Sequence, residues 1–238
     1  MLDLWQSILQ FLEKVITWAP GLIMGVVIHE YSHGFIAYRF GDNTAKNMGR
    51  LTLNPVRHID LFGSIILPIL LILFNSNIIF GYAKPVPINP AYFKNYRRGI
   101  RYTSLAGPLS NIIFAFTIGL LYGIFYFIFF RFTNGAINSG TIGYRSFVLV
   151  STIFVNAIYI NLFLAIFNFI PIPPLDGSKI LASFLPGRAM NSYLSFGRFG
   201  FIFIFILLFI GGRVLWPVIY PLINFIFNGC IWWQYLIS

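Results

Sequence analysis

Charged residues are scarce in this chain. Asp, Glu, Lys and Arg make up only 9% of its 238 residues, while 58% are hydrophobic and the mean hydropathy is +0.80. Soluble domains carry about 25% charged residues, so the composition excludes an ordinary soluble domain and a disordered chain. Because the apolar residues run in long blocks and do not alternate, an outer-membrane barrel is excluded as well. The fold class predicted is an all-α polytopic membrane protein.

Cysteine and acidic residues are also rare. The single Cys230 excludes an internal disulfide framework and a cysteine-rich metal site. The net charge of +10 follows from 16 basic and 6 acidic residues, and in a membrane protein the positive-inside rule accounts for such an excess. We therefore expect no nucleic-acid partner. Residues 1–14 hold one Lys and no basic start before a short apolar core, so no cleavable signal peptide is expected.

Five segments are apolar enough to form membrane helices, each of which needs about 20 residues. The last two are separated by Gly211-Gly212-Arg213, and the second of them carries Pro217 and Pro221 near its start. We predict one membrane domain over residues 1–238, with a core at 15–178 and C-terminal helices within 199–237. The predicted spans are residues 15–38, 105–130, 147–169, 199–210 and 214–237.

Residues 61–80 are apolar but do not resemble an ordinary span. Pro68 lies inside the segment and Asn75-Ser76-Asn77 interrupts it. If the segment crossed the membrane, the basic stretches 38–60 and 81–104 would lie on opposite faces. If it returns as a re-entrant hairpin, 12 of the 16 basic residues are cytoplasmic, which fits the positive-inside rule. We therefore favour a hairpin, an outer N-terminus and a cytoplasmic C-terminus, with a full crossing as the alternative.

The strongest chemical signal is the run His29-Glu30-Tyr31-Ser32-His33. Residues four apart share one helix face, so both imidazoles can bind one metal ion, and Glu30 is placed to act as general base. Two histidines and a glutamate within a membrane helix would be costly without a metal ion or a water-filled cavity. The alternative is a set of polar core residues directed at neighbouring helices.

A catalytic zinc ion needs a third protein ligand, for which His58, Asp60 and Asp176 are candidates. Asp176 follows Pro171, Pro173 and Pro174, where the proline-rich stretch ends a helix and forces an extended backbone. Residue chemistry leaves a second possibility open, because Asp is also a favoured N-cap for a following helix.

Five sequence blocks together resemble the site-2 protease family of intramembrane zinc metalloproteases, in its small form without a PDZ or CBS domain. The blocks are His29–Gly34, Asn54–Asp60, Gly81–Pro87, Ala106–Asn111 and Asn168–Gly177. The resemblance implies one Zn²⁺ per chain, held by His29, His33 and Asp176. It also implies Glu30 as the catalytic glutamate and Asn168 as the donor to the oxyanion.

Five further polar residues are candidates for supporting the metal site or binding substrate: His58, Asn54, Asp60, Asn111 and Lys84. Partners of zinc ligands are often histidine or carboxylate side chains. The alternative for the first three is a solvated loop in which Asp60 pairs with Arg57. The alternative for Lys84 is anchoring at the membrane surface.

The predicted partners are the lipid bilayer and a membrane protein whose transmembrane helix is the substrate, and no oligomeric state is assigned. The predicted location is a prokaryotic plasma membrane, with the active site towards the cytoplasm. An unwound substrate needs hydrogen-bond partners, and Met48–Leu53 has the pattern of a short β-strand edge that could supply them. The alternative for this short stretch is an ordinary loop. Two rival functions are a transporter that carries the metal and a non-hydrolytic membrane chaperone.

Overall fold

The computed structural model describes residues 2–60, 63, 66, 84–133 and 141–231. Within these residues the chain is mainly helical and contains no β-strand. Four helices are long: α1 (Leu2–Arg39), α3 (Tyr96–Thr133), α4 (Ile142–Phe169) and α7 (Gly200–Ile231). Short helices lie between them: α2 (Thr44–Asn47), α5 (Asp176–Ala182), α6 (Gly187–Ser195), and 3-10 turns at Pro55–His58, Pro90–Tyr92 and Phe196–Phe199.

Three of these helices are long and apolar enough to cross a membrane, counting only the described residues. They are the Ile8–Arg39 part of α1, all of α3 and all of α4. The first three predicted spans, at 15–38, 105–130 and 147–169, lie inside them, which confirms a helical membrane protein. The predicted re-entrant hairpin at 61–80 lies outside the described residues except for Gly63 and Ile66, so it stays a prediction.

Two expectations are corrected by the backbone. The predicted break at Gly211–Arg213 is wrong, because α7 continues through it and through Pro217 and Pro221. Ending a helix among apolar neighbours would leave more backbone groups unpaired than a glycine pair or a proline does. The expected strand at Met48–Leu53 is also wrong, because the chain turns at Gly49, where φ is +63°, and Arg50 is buried.

Helices α1 and α4 approach each other closely through small residues. A Cβ added at Gly21 would lie 2.5 Å from the Cα of Ala157, and one added at Gly25 would lie 2.5 Å from Oδ1 of Asn161. Gly21 and Gly25 are four residues apart and therefore share a face of α1, as Ala157 and Asn161 do on α4. Small residues at this spacing bring membrane helices into backbone contact, and the contact fixes where α1 presents its polar residues.

The buried apolar core lies between α3, α4 and α7. Its members are small or branched residues that fill the space between the three helices: Ala115, Ile118, Ala157, Ile158, Leu162, Leu215, Ile219 and Ile226. A smaller cluster lies where α1 ends and α3 begins, and it also draws on α5 and α6: Ala37, Phe93, Ile100, Ala182 and Met190. The two clusters hold α1, α3, α4 and α5 around one polar site.

The contact between Gly21 and Ala157 predicts the effect of a single methyl group. Gly21→Ala should lower the melting temperature in detergent, because overpacking at a backbone contact costs about 1–3 kcal/mol. Gly229→Ala is the matched control, since nothing lies within 4 Å of a Cβ at that helical position. Alanine favours helix over glycine by about 1 kcal/mol, so the control should melt at the wild-type temperature or above it. Equal melting temperatures for the two variants would contradict the close packing of α1 on α4.

Candidate metal centre

Two histidines of α1 and one aspartate of α5 meet in the interior. Nε2 of His29 lies 3.1 Å from Oδ2 of Asp176, and Nε2 of His33 lies 2.9 Å from the same oxygen. The three side chains could hold one metal ion, since their donor atoms all lie within 4.8 Å of one another. All three residues are buried, with 8%, 7% and 5% of their surface exposed.

The other ring nitrogen of each histidine is bound to a group outside this cluster. Nδ1 of His33 lies 2.6 Å from the backbone oxygen of Thr103, and Nδ1 of His29 lies 3.1 Å from Oδ1 of Asn111. A carbonyl oxygen can only accept a hydrogen bond, so Nδ1 of His33 donates, and Nε2 is the ring nitrogen left to face Asp176 or a metal ion. Metal-binding histidines typically make this kind of outer bond. The structure therefore brings Asn111, one of the supporting candidates, directly to a predicted ligand.

Gly107 leaves open the space in front of the two imidazoles. A Cβ at this position would lie 2.5 Å from Nε2 of His33 and 2.6 Å from Nε2 of His29. The donor set of two imidazoles and one carboxylate is typical of a catalytic zinc site with an open position. The residues present therefore fit a zinc ion both in their chemistry and in the space that glycine leaves.

Asp176 is the first residue of α5, and its carboxylate does not cap that helix. The N-cap is Leu175, without a side-chain hydrogen bond, so the capping alternative is not realised. Burial alone would raise the pKa of the Asp176 carboxyl, but His33, His29 and Lys179 hold this pKa well below its usual range. Oδ1 accepts a hydrogen bond from Nζ of Lys179 at 3.1 Å, while Oδ2 faces the imidazoles. The carboxylate thus stays in the ionised form that binds metals.

Glu30 lies beside this cluster and is held by the backbone. Its Oε2 accepts a hydrogen bond from the N–H of Val86 at 2.7 Å. A cavity of about 500 Å³ adjoins the cluster, and its walls include Glu30, Asn168, Lys179 and the three candidate ligands. The amide nitrogen of Asn168 donates to the backbone oxygen of Leu164 at 2.9 Å. A carboxylate and a side-chain amide therefore line the same cavity as the candidate ligands.

The segment 84–89, which carries Val86, is held at both ends by buried side chains. Nη2 of Arg50 donates to the backbone oxygen of Lys84 at 2.8 Å, and the N–H of Asn89 donates to Oδ2 of Asp42 at 2.7 Å. Sequence reasoning missed both side chains. Arg50 looked like one more surface cation, and only the fold shows that Asp42 is buried.

The remaining candidates lie apart from the cluster. His58 is buried, but its Nε2 bonds to the backbone oxygen of Thr52 at 2.8 Å, and its own backbone oxygen accepts from the N–H of Lys84 at 2.9 Å. Asn54 caps the 3-10 turn through Val56, at 3.1 Å, and Oδ1 of Asp60 accepts from the N–H of Gly63 at 2.8 Å. The side chain of Lys84 is exposed. These hydrogen bonds shape the loop next to segment 84–89. Of the three candidates for the third ligand, Asp176 is the one that contacts the histidines.

Comparison with known proteins gives the family. Residues 18–210 match the sequence model described as Peptidase family M50, and the chain belongs to this family, the site-2 proteases. "Putative zinc metalloprotease YwhC" of Bacillus subtilis is 38% identical over 201 residues, which cover 83% of each chain. Rip2 of Mycolicibacterium smegmatis, with the same description, is 28% identical over 192 residues, covering 79% of this chain and 64% of Rip2. No solved structure shows a significant match.

The space at Gly107 predicts a selective loss of metal binding. Gly107→Ala should weaken zinc binding at least about tenfold, or about 1.4 kcal/mol, because the methyl group would lie against both Nε2 atoms. Gly143→Ala is the control, since its Cβ would meet only Oγ1 of Thr141, at 3.9 Å. Zinc affinity is measured by competition with a chelator in detergent. Wild-type affinity for Gly107→Ala would place the metal elsewhere than between the imidazoles.

Proposed function

We propose that this protein is an intramembrane zinc metalloendopeptidase that cleaves transmembrane segments of other membrane proteins. One Zn²⁺ per chain is held by His29, His33 and Asp176. The observation that carries the proposal is a buried cluster of three candidate ligands, two of which lie on a helix of membrane-spanning length. His33 precedes the end of α1 by six residues, or about 9 Å at 1.5 Å per residue, so the site lies below the helix end.

The chemistry divides among the residues that face the cavity. A bound zinc ion would polarise the peptide carbonyl and acidify water. Glu30 takes the proton from the attacking water and later passes it to the leaving amine. The N–H of Val86 holds the Glu30 carboxylate in position at 2.7 Å. Asn168 supplies a neutral amide donor to the oxygen that becomes negative in the transition state.

The position of the site below the end of α1 indicates which kind of substrate it would act on. A transmembrane helix hydrogen-bonds its own carbonyls, so it must unwind before one of them can be attacked. Helix-breaking residues near the cut lower the cost of unwinding. The cavity is lined by residues of the C-terminal part of α1, and Arg39, which ends this helix, begins the first basic stretch of the chain. By the positive-inside rule this end faces the cytoplasm, and cleavage therefore proceeds from the cytoplasmic side of a plasma membrane.

Two rival functions would leave some of the residues at this site without a role. A transporter that carries zinc has no need for a glutamate beside the ligands, nor for the amide of Asn168 at the same cavity. A non-hydrolytic chaperone has no need for a full set of ligands. Both the general base and the three candidate ligands are present here, which supports hydrolysis.

Separating metal binding from hydrolysis tests the proposal. Glu30→Gln should keep about one zinc per chain but slow cleavage about 10²–10⁴-fold, while Asp176→Ala should lose both zinc and cleavage. Glu13→Gln is the matched control, because it makes the same change on the same helix far from the site. The probe is a synthetic transmembrane peptide with a central Asn-Pro pair, reconstituted with the protein in liposomes. Cleavage products are read by mass spectrometry.

Two results would contradict the proposal. One is wild-type protein, purified without chelators, that holds no zinc. The other is cleavage by Glu30→Gln at the rate of the control. Retention of zinc by Asp176→Ala would move the third ligand to another residue.

A further inference from the structure

A chain of buried amides leads from the metal centre to the packing contact of α1 and α4. Asn111 on α3 and Asn161 on α4 are both fully buried, with 0% exposure. Oδ1 of Asn111 lies 3.1 Å from Nδ1 of His29, and its Nδ2 donates to Oδ1 of Asn161 at 3.3 Å. Nδ2 of Asn161 donates to the backbone oxygens of Ala157, at 2.8 Å, and Gly21, at 3.3 Å.

The two backbone carbonyls at the α1–α4 contact determine the direction of every hydrogen bond in this chain of amides. The carbonyl oxygens of Ala157 and Gly21 can only accept, so the amide nitrogen of Asn161 must face them. Its oxygen must then face Asn111, whose nitrogen must donate to it. The oxygen of Asn111 is thereby directed at His29. Because that oxygen can only accept, Nδ1 of His29 carries a proton and donates it, and Nε2 is the ring nitrogen left to face Asp176 or a metal ion.

We infer that Asn161 is a positioning residue for the metal centre. It acts through Asn111, fixing His29 in the tautomer whose Nε2 can bind a metal ion. His33 needs no such relay, because the carbonyl of Thr103 fixes its tautomer directly. Without Asn161, the side-chain amide of Asn111 could flip and direct its nitrogen, in place of its oxygen, at His29. The inference rests on the proposed metal site and not on the proposed peptidase reaction.

The packing of α1 is built around the same amide. A Cβ at Gly25 would lie 2.5 Å from Oδ1 of Asn161 and 3.1 Å from its Nδ2. Gly25 therefore provides the room that lets Asn161 reach the backbone of α1. Gly25 and His29 are four residues apart on one face of α1, so the amide and the imidazole lie one above the other along that helix.

A neighbouring asparagine supplies the matched control. Nδ2 of Asn156 also donates from α4 to a backbone oxygen of α1, that of Thr17, at 3.5 Å. No hydrogen bond among the described residues links Asn156 to Asn111. If asparagines on α4 serve only to join the helices, alanine at either position should have the same kind of effect.

The first measurement is the tautomer of His29 in metal-free protein with ¹⁵N-labelled histidine, at a pH well above the ordinary imidazole pKa of about 6.5. The chain has three histidines, so single substitutions assign the signals. The wild type should show His29 protonated at Nδ1, and Asn161→Ala should give a mixture of tautomers. Asn156→Ala should leave the signals as in the wild type. A wild-type His29 without a proton on Nδ1 would overturn the inference, whether or not any variant folds.

The second measurement is zinc affinity in a double-mutant cycle. Asn161→Ala should weaken binding about 10-fold or more, within the 10–100-fold range typical of groups that support zinc ligands, while Asn156→Ala changes it less than about twofold. In the Asn111→Asp background, both oxygens of residue 111 accept, and no amide orientation remains to be fixed. Oδ1 of Asn161 would then face a second acceptor, so Asn161→Ala should not weaken zinc binding in this background.

An equal loss of affinity in both backgrounds would mean that Asn161 acts only through helix packing, and the inference would fail. A lower melting temperature for Asn161→Ala with unchanged zinc affinity would have the same meaning. Failure of the wild type to bind zinc would instead reject the proposed function. Normal zinc binding without peptide cleavage would reject the reaction and leave the role of Asn161 standing.

Discussion

The structure depends on the cost of placing ionisable groups inside a membrane. His29, Glu30 and His33 lie in a helix long enough to span a bilayer, where unpaired charges and donors are expensive. Each has a partner within the protein. The Nε2 atoms of His29 and His33 lie within hydrogen-bond distance of the Asp176 carboxylate, and Glu30 accepts a hydrogen bond from the N–H of Val86. The small residues of α1 and α4, the buried Arg50 and the buried Asp42 all serve to bring those partners to the right place.

Backbone groups position several of the polar side chains at this site. The carbonyl of Thr103 orients one imidazole, the N–H of Val86 holds the carboxylate of Glu30, and the missing side chain of Gly107 defines the open space. Backbone groups cannot rotate away as side chains can, so they fix an active site at little entropic cost. Of the two histidines, His29 is the one whose Nδ1 is bound by a side chain, and the hydrogen bonds continue from Asn111 through Asn161 to backbone carbonyls.

Composition was sufficient to predict the membrane class, and the spacing of His29 and His33 was sufficient to predict that one helix presents both, because each depends on local residue chemistry. Residue chemistry left Asp176 open as ligand or helix cap, and only the family resemblance implied a ligand. Composition and motifs did not predict Asn161, Arg50 or Asp42, whose roles depend on which helix or loop faces them. The expected strand at Met48–Leu53 failed for a related reason. Alternating residues describe a possible strand, but Gly49 turns the chain and Arg50 bonds to segment 84–89. The prediction of a break in α7 overestimated how strongly glycine and proline interrupt a helix among apolar neighbours.

The wide separation of the ligands along the chain has a consequence for biogenesis. His29 and Asp176 are 147 residues apart, so at 5–20 residues per second the ribosome needs roughly 7–30 s to complete the site after the first histidine is made. During that interval α1 can enter the bilayer with both imidazoles but without their carboxylate. Asn111 and Thr103 are synthesised well before Asp176, so the histidines can be oriented first. The nascent chain then gains its hydrolytic centre only after α3 and α4 have been made.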